Sequence, residues 1–190
     1  MAALVSDEDC VLVAIDVQPR FLEGLEPRVA EETVDRIRWL VGLARLLGVP
    51  VLVTEEEPDR NGGTCEAVDA AVPPDVVRHR KPAFGVAANA AIMADLQLHG
   101  RRTAVLCGLE TDVCVAQSAL GLRDAGWKVV VVEDAVASPG IAHEQGLARM
   151  RSAGVELVGT KGLCYEWLRT LERTHDLRDF LAAPPLGIVL

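Results

Sequence analysis

The sequence predicts an α/β protein: a three-layer α/β/α sandwich around a six-stranded, mostly parallel sheet. Three observations predict it. Short apolar runs rich in β-branched residues recur along the chain, among them Val11–Ile15, Val51–Thr54 and Val129–Val132; such runs suit strands buried on both faces. Segments with apolar residues at steps of three and four lie between them, the spacing of a helix with one buried face. Glycine and proline punctuate the joints, as at Gly48, Pro50, Gly126, Pro139 and Gly140, where they end or block regular structure. With 190 residues and no linker or internal repeat, the chain reads as a single domain over residues 1–190 with room for a full core.

Taken in order, Val11–Ile15 is the first strand and Asp16 ends it. A carboxylate there is costly to bury unless it is paired or placed in a cleft; its other use is to cap a helix. Gln18, Pro19, Arg20 and Phe21 form the exit. Helical periodicity begins at about Val29, runs through Val34, Ile37, Val41 and Ala44, and stops at Gly48 and Pro50. Val51–Thr54 is the second strand, joined to the first by a crossover that is right-handed by default. The stretch from Glu55 to Gly63 is acidic and then turn-rich. Its three successive carboxylates lack a histidine in a DxH or HxH arrangement, so it reads as a solvated loop rather than a metal site.

Val76-Val77 marks a short third strand after Pro73-Pro74, followed by the basic cluster Arg78, His79, Arg80 and Lys81. That cluster is either a solvated patch or a source of one cation at the mouth of the sheet. Asn89–Leu98 is helical, with Asn89 a candidate cap. Thr103–Cys107 is the fourth strand. The chain then turns at Gly108, passes the polar patch Glu110-Thr111-Asp112, and enters a helix with Cys114 in its first turn that runs to about Asp124. Val129–Val132 is the fifth strand, closed by Glu133-Asp134. His143–Arg151 is a helix, Val155–Val158 the sixth strand and Leu163–Leu171 the last helix. The apolar end, Leu181–Leu190, packs across a subunit interface or onto its own domain.

Composition excludes several functions. Nineteen Lys and Arg against 28 Asp and Glu give a net charge of −9, which argues against a nucleic-acid or anionic-membrane partner. The five cysteines include no CxxC pair, so neither a zinc ribbon nor a thioredoxin-type motif is present. An odd, scattered set reads as reduced thiols in a cytoplasm. MAALVSDEDC has no basic region before a long apolar core and is not a signal peptide. No apolar run approaches the roughly 20 residues of a membrane span. No GxGxxG follows the first strand and no GxxxxGK[ST] occurs, so dinucleotide and P-loop readings lose their support and no cofactor is expected.

With strand order 3-2-1-4-5-6, the first and fourth strands are neighbours across the switch point where ligands bind. Asp16 and Cys114 then face one crevice, with Lys81 after the third strand. A base, a cation and a thiol are what acyl transfer to sulfur needs. Cys114 by itself reads two ways. It is a nucleophile favoured by the helix dipole, or a small residue filling a core gap.

Four motifs bear on that choice: VAIDVQPRF (13–21), RKPAFGV (80–86), CGLETDVCVAQSAL (107–120) and VVVEDAVAS (130–138). Together they resemble the isochorismatase-like cysteine hydrolase superfamily, from the first strand to about Val158. Residues 147–163 resemble its isochorismatase-domain-containing branch. The resemblance implies a Rossmann-like sandwich and a catalytic triad of Asp16, Lys81 and Cys114. It also implies a cis peptide at Leu109–Glu110, which would aim the backbone N–H of Glu110, with that of Cys114, at a developing oxyanion. Asp16 would take the thiol proton while Lys81 and the helix dipole hold the thiolate. The implied activity is hydrolysis of a carbon–nitrogen bond in a small amide through a thioester, with a homo-oligomer as the assembly. Phe21 and Phe84 are pocket walls or core; Gln18 orients a polar group or is core.

The chain also departs from the resemblance. Nicotinamidases of this superfamily carry a metal-binding DxH and a further His, which residues 54–63 lack, so no metal is expected. Isochorismatases that cleave a vinyl ether do not use a cysteine at the nucleophile position. Glu110 stands where many members have a small apolar residue; it narrows the pocket, favours a cationic substrate, or points to solvent. Two other classes remain open. One is an idle binding or scaffold protein. The other is a thiol-redox role, for which Cys107 on its buried strand is a poor resolver.

Overall fold

The structure, a computed structural model, describes residues 4–190; the first three residues of the stretch MAALVSDEDC lie outside them. Six strands, β1 (Cys10–Ile15), β2 (Val51–Glu56), β3 (Arg78–Lys81), β4 (Thr103–Leu109), β5 (Lys128–Ala137) and β6 (Glu156–Val158), form one sheet. Their order is β3-β2-β1-β4-β5-β6, and all five neighbouring pairs are parallel. The longer helices are α1 (Pro27–Leu47), α2 (Ala90–Leu98), α3 (Ala116–Asp124), α4 (Ala142–Ser152) and α5 (Thr160–Leu168). The predicted α/β/α class and strand order are what the molecule has.

Alternation along the strands sorts the core into two layers, because successive side chains leave a strand on opposite faces. Cys10, Leu12 and Ala14 join Val51, Val53, Val105, Cys107, Val130 and Val132 beneath α1 and α5. Val11, Val13 and Ile15 join Leu52, Leu106, Val129 and Val131 beneath α2, α3 and α4. Coverage of both faces is why these strands read as continuous apolar runs.

Four elements differ from the sequence reading. The third strand is the basic cluster itself, Arg78–Lys81, paired with Val53–Glu56; Val77 is exposed. β2 continues through Thr54 to Glu56, so the acidic loop begins only at Glu57. β5 does not stop at Glu133-Asp134. An irregularity opposite Leu106 and Gly108 absorbs the extra residues and pairing resumes through Ala137, the behaviour of a bulged strand. α5 starts at Thr160 rather than Leu163, because the Asp134 carboxylate accepts from both the Thr160 N–H and hydroxyl at 2.8 Å.

The apolar C-terminus folds onto its own domain. The Trp39 indole N–H donates to the Ala183 carbonyl at 3.1 Å, and the Leu186 N–H donates to Asp35 at 2.8 Å. Phe180 lies against Trp39 with ring centroids 5.0 Å apart. Among the described residues, no helix is long and apolar enough to cross a membrane.

Gly108 brings β4 against β1 just before the site. Its φ is +121°, and a Cβ there would lie 2.0 Å from the Ile15 carbonyl oxygen. Any side chain at this position would push apart the two strands whose ends carry Asp16 and Cys114.

Candidate active site

Asp16 follows β1 with φ +49°, a left-handed turn that Asp tolerates better than most side chains. Its N–H donates to the Thr54 carbonyl at 3.0 Å, and its Oδ1 accepts from the Thr54 hydroxyl at 2.7 Å. Oδ2 lies 2.9 Å from Lys81 Nζ but off the line of a hydrogen bond, and that oxygen has no hydrogen-bond partner among the described residues. The carboxyl is held above the usual carboxylate range, first by burial, with Lys81 pulling the other way.

Lys81 is the last residue of β3, and burial singles it out among the strand's four basic residues. Arg78 pairs with Asp69, His79 with Asp95 and Arg80 with Asp59. Lys81 turns inward and is 1% exposed. A buried ammonium needs a full set of partners. It donates to the carbonyls of Phe84 at 2.8 Å and Ala83 at 3.1 Å and reaches Cys114 Sγ at 3.5 Å. Asp16 is its nearer carboxylate; Glu56 lies at 3.8 Å.

Cys114 sits in a π-helical turn, Thr111–Val115, that leads into α3. The Glu110 carbonyl takes the N–H groups of Val113 and Val115 and passes over that of Cys114. The peptide bond Leu109–Glu110 is cis. The turn is held from behind. Thr111 shares a hydrogen bond with His143 at 3.0 Å, and the Ser138 hydroxyl donates to Asp112 at 2.7 Å. α4 touches the turn at Gly146, where a Cβ would lie 2.8 Å from the Asp112 backbone. A cavity of about 660 Å³ opens on that far side, lined in part by Ser138 and His143 and not by Cys114.

The Cys114 thiol is pushed far above its ordinary range, by burial first and then by the Asp16 charge, with Lys81 opposing. A protonated resting thiol is the starting point that a base at Asp16 requires. Desolvation and a carboxylate outweigh the lysine and the helix end, so the sulfur keeps its proton until a base takes it.

Glu56 is the residue that sequence reasoning missed. The thiol of Cys114 donates to its Oε2 at 3.2 Å. Its backbone is clamped: Gln18 Oε1 accepts its N–H at 2.7 Å, while Gln18 Nε2 and Asn61 Nδ2 donate to its carbonyl at 3.0 and 2.8 Å. A signal existed. Thr54 meets Asp16, and a residue two further along a strand faces the same side.

Gln18 is therefore a buried bracket for Glu56. Glu55 is tied down too, accepting from Thr64, so of the three glutamates only Glu57 is exposed. Phe84 is half-exposed and contributes its carbonyl to Lys81. Phe21 packs beside Leu25, Leu109 and Ala137, next to the turn. Donor atoms of Asp16, Glu56 and Cys114 lie within 4.8 Å of one another, close enough to hold a cation. The Lys81 ammonium already stands in contact with all three.

The family model described as Isochorismatase domain matches residues 10–162. An isochorismatase domain-containing protein 2 from Xenopus laevis is 30% identical over 166 residues, covering 86% of this chain and 78% of that protein. An octameric hydrolase of unknown specificity from Escherichia coli superposes with a TM-score of 0.85 at 23% identity, over 96% of this chain and 89% of the other. A protein described as MAR1 ribonuclease from Caenorhabditis elegans superposes with a TM-score of 0.87 at 23% identity, over 99% and 98%. At these identities the two superpositions speak to the fold.

Proposed function

The chain belongs to the isochorismatase domain family, and from that premise we propose that it is a cysteine hydrolase. It cleaves an amide-type carbon–nitrogen bond of a small molecule without a metal. One observation carries the reading: the Lys81 ammonium lies 2.9 Å from Asp16 Oδ2 and 3.5 Å from Cys114 Sγ, all within one buried cluster.

Asp16 accepts the Cys114 proton on its unfilled Oδ2, the task for which a raised carboxyl suits it. Lys81 stabilises the thiolate as it forms. The sulfur attacks the substrate carbonyl, and the N–H groups of Glu110 and Cys114 hold the resulting oxyanion. Collapse breaks the carbon–nitrogen bond, and the amine leaves with the proton from Asp16. Water then attacks the thioester while Asp16 takes its proton. The acid departs and the sulfur is reprotonated. The metal-independent reading rests on the Lys81 charge already placed among the three donors.

The enzyme is one domain acting in a reducing cytoplasm, in keeping with five unpaired thiols. It works as a homo-oligomer, in keeping with the octameric relative in structure.

Ammonia release from a panel of small primary amides tests the reading. Wild type is expected to release ammonia from at least one amide, and Cys114→Ser to lose about 10³-fold or more of that rate. Release that survives Cys114→Ser, or none from any amide, overturns it; the latter with a slow, ordinary thiol points to an idle scaffold.

A further inference from the structure

The charge around the thiol does not balance. Asp16 and Glu56 both face the Lys81 ammonium, at 2.9 and 3.8 Å. Glu110 adds a third, half-buried carboxyl in the turn that carries Cys114. Its carboxyl is raised by burial and then by the charges of Asp112 and Glu56. The other cations of the neighbourhood are committed elsewhere: Arg80 to Asp59, Arg60 to Glu57. Asp112 is spent on the Ser138 hydroxyl. Within the cluster, Asp16 Oδ2 is fully buried and lacks a hydrogen-bond donor.

Glu56 is also built into place. Three side-chain hydrogen bonds from Gln18 and Asn61 fix its backbone. Its side chain keeps 18% of its surface in solvent while Oε2 touches the sulfur at 3.2 Å. It can therefore meet an incoming molecule at the surface of the site, whereas Asp16, with no exposed surface, meets only what reaches the sulfur.

From this we propose that Glu56, supported by Glu110 at the start of the turn that carries Cys114, selects substrates carrying a cationic nitrogen close to the scissile carbonyl. Through-space attraction at such short range is worth far more in a half-buried site than in water. The geometry limits the reach. A carbonyl carbon in attack position on Sγ leaves a nitrogen that contacts Glu56 within about three bonds of it. The substrate class is a small amide with an ammonium, amidinium or guanidinium group on a neighbouring carbon. The inference rests on the hydrolase reading, but its test does not.

Methanethiosulfonates of similar size and different charge read the potential at Cys114 without any substrate. The thiolate displaces methanesulfinate and forms a mixed disulfide with the transferred thiol. The probes are the aminoethyl cation, the ethylsulfonate anion and the neutral methyl reagent, with rates followed by mass spectrometry of the Cys114 peptide. The cation-to-anion rate ratio in wild type is expected to exceed that of free cysteine by about tenfold or more. Glu56→Gln is expected to lower the ratio severalfold. Glu110→Gln should lower it as well, and it carries the test if Glu56→Gln fails to fold. Glu57→Gln, whose exposed carboxylate pairs with Arg60, is expected to leave it unchanged.

A wild-type ratio equal to that of free cysteine overturns the proposal. So does a ratio that both carboxylate variants leave intact, including a uniform slowing of all three reagents, which would make Glu56 a base and not a reader of charge. Loss of the hydrolase reading would show separately, as absent ammonia release with the charge selectivity preserved.

Discussion

Asp16→Asn is expected to lower turnover by about 10² to 10⁴-fold, the usual contribution of a positioned acid–base group. The substitution is a clean one for the backbone. Asn tolerates the left-handed φ of +49° as well as Asp does, and its amide oxygen can still accept from the Thr54 hydroxyl at the 2.7 Å separation of Oδ1. What it cannot do is take a proton at the position of Oδ2. The thiol would then lose the base proposed for it, while burial still holds its own value high. KM is expected to move less than kcat, because Asp16 has no exposed surface with which to bind substrate. Steady-state ammonia release on the best amide of the panel measures both.

Lys81→Met is expected to cost about 3–5 kcal/mol of stability, the range seen when one partner of a buried ion pair is removed. Methionine can occupy much of the lysine stem's space but leaves one group without its cation and another without its donor. These are the Asp16 carboxylate and the carbonyl of Phe84; the carbonyl of Ala83 keeps the Asn89 amide at 3.2 Å. The loss has a pH signature. Asp16 is already raised by burial, and Lys81 is the main force opposing that rise, so its removal raises Asp16 further. An acid whose folded-state value is raised binds protons more tightly in the folded state. Stability is then highest below the unfolded value and falls as pH rises through the folded one. Urea titrations are expected to show a larger deficit for the variant near pH 8 than near pH 5. An equal deficit at both would contradict the pairing.

Much of this architecture is legible from local pattern. Val11–Ile15 followed by Asp16 and Thr103–Cys107 followed by Gly108 are short signals that need no distant partner, and the strand order then brings Asp16 and Cys114 together. The readings that failed depend on partners far along the chain. Arg78–Lys81 has no apolar pattern of its own; it is an edge strand because β2 supplies the ladder. Glu56 looks like part of an acidic loop until Gln18, 38 residues away, is seen to hold it. Thr160 begins a helix because Asp134 caps it across the fold. A helix end near Cys114 is visible in sequence, whereas the depth of burial that pushes its thiol up is not.

The most direct test of the account is the pH profile of Cys114 alkylation by iodoacetamide in wild type and Asp16→Asn, read by peptide mass spectrometry. Cys10 and Cys107, buried and pushed up to about 12, are internal references in the same digest. If Asp16 takes the thiol proton, forming the thiolate releases no proton to solvent. The wild-type rate then levels off once Asp16 is ionised. With Asp16 as the acceptor, Asp16→Asn leaves the proton to solvent and the rate climbs about tenfold per pH unit; a plateau kept in the variant would instead assign the proton to Glu56, whose Oε2 accepts from the thiol. A wild-type profile that climbs in parallel with the variant would contradict Asp16 as the base and, with it, the proposed mechanism.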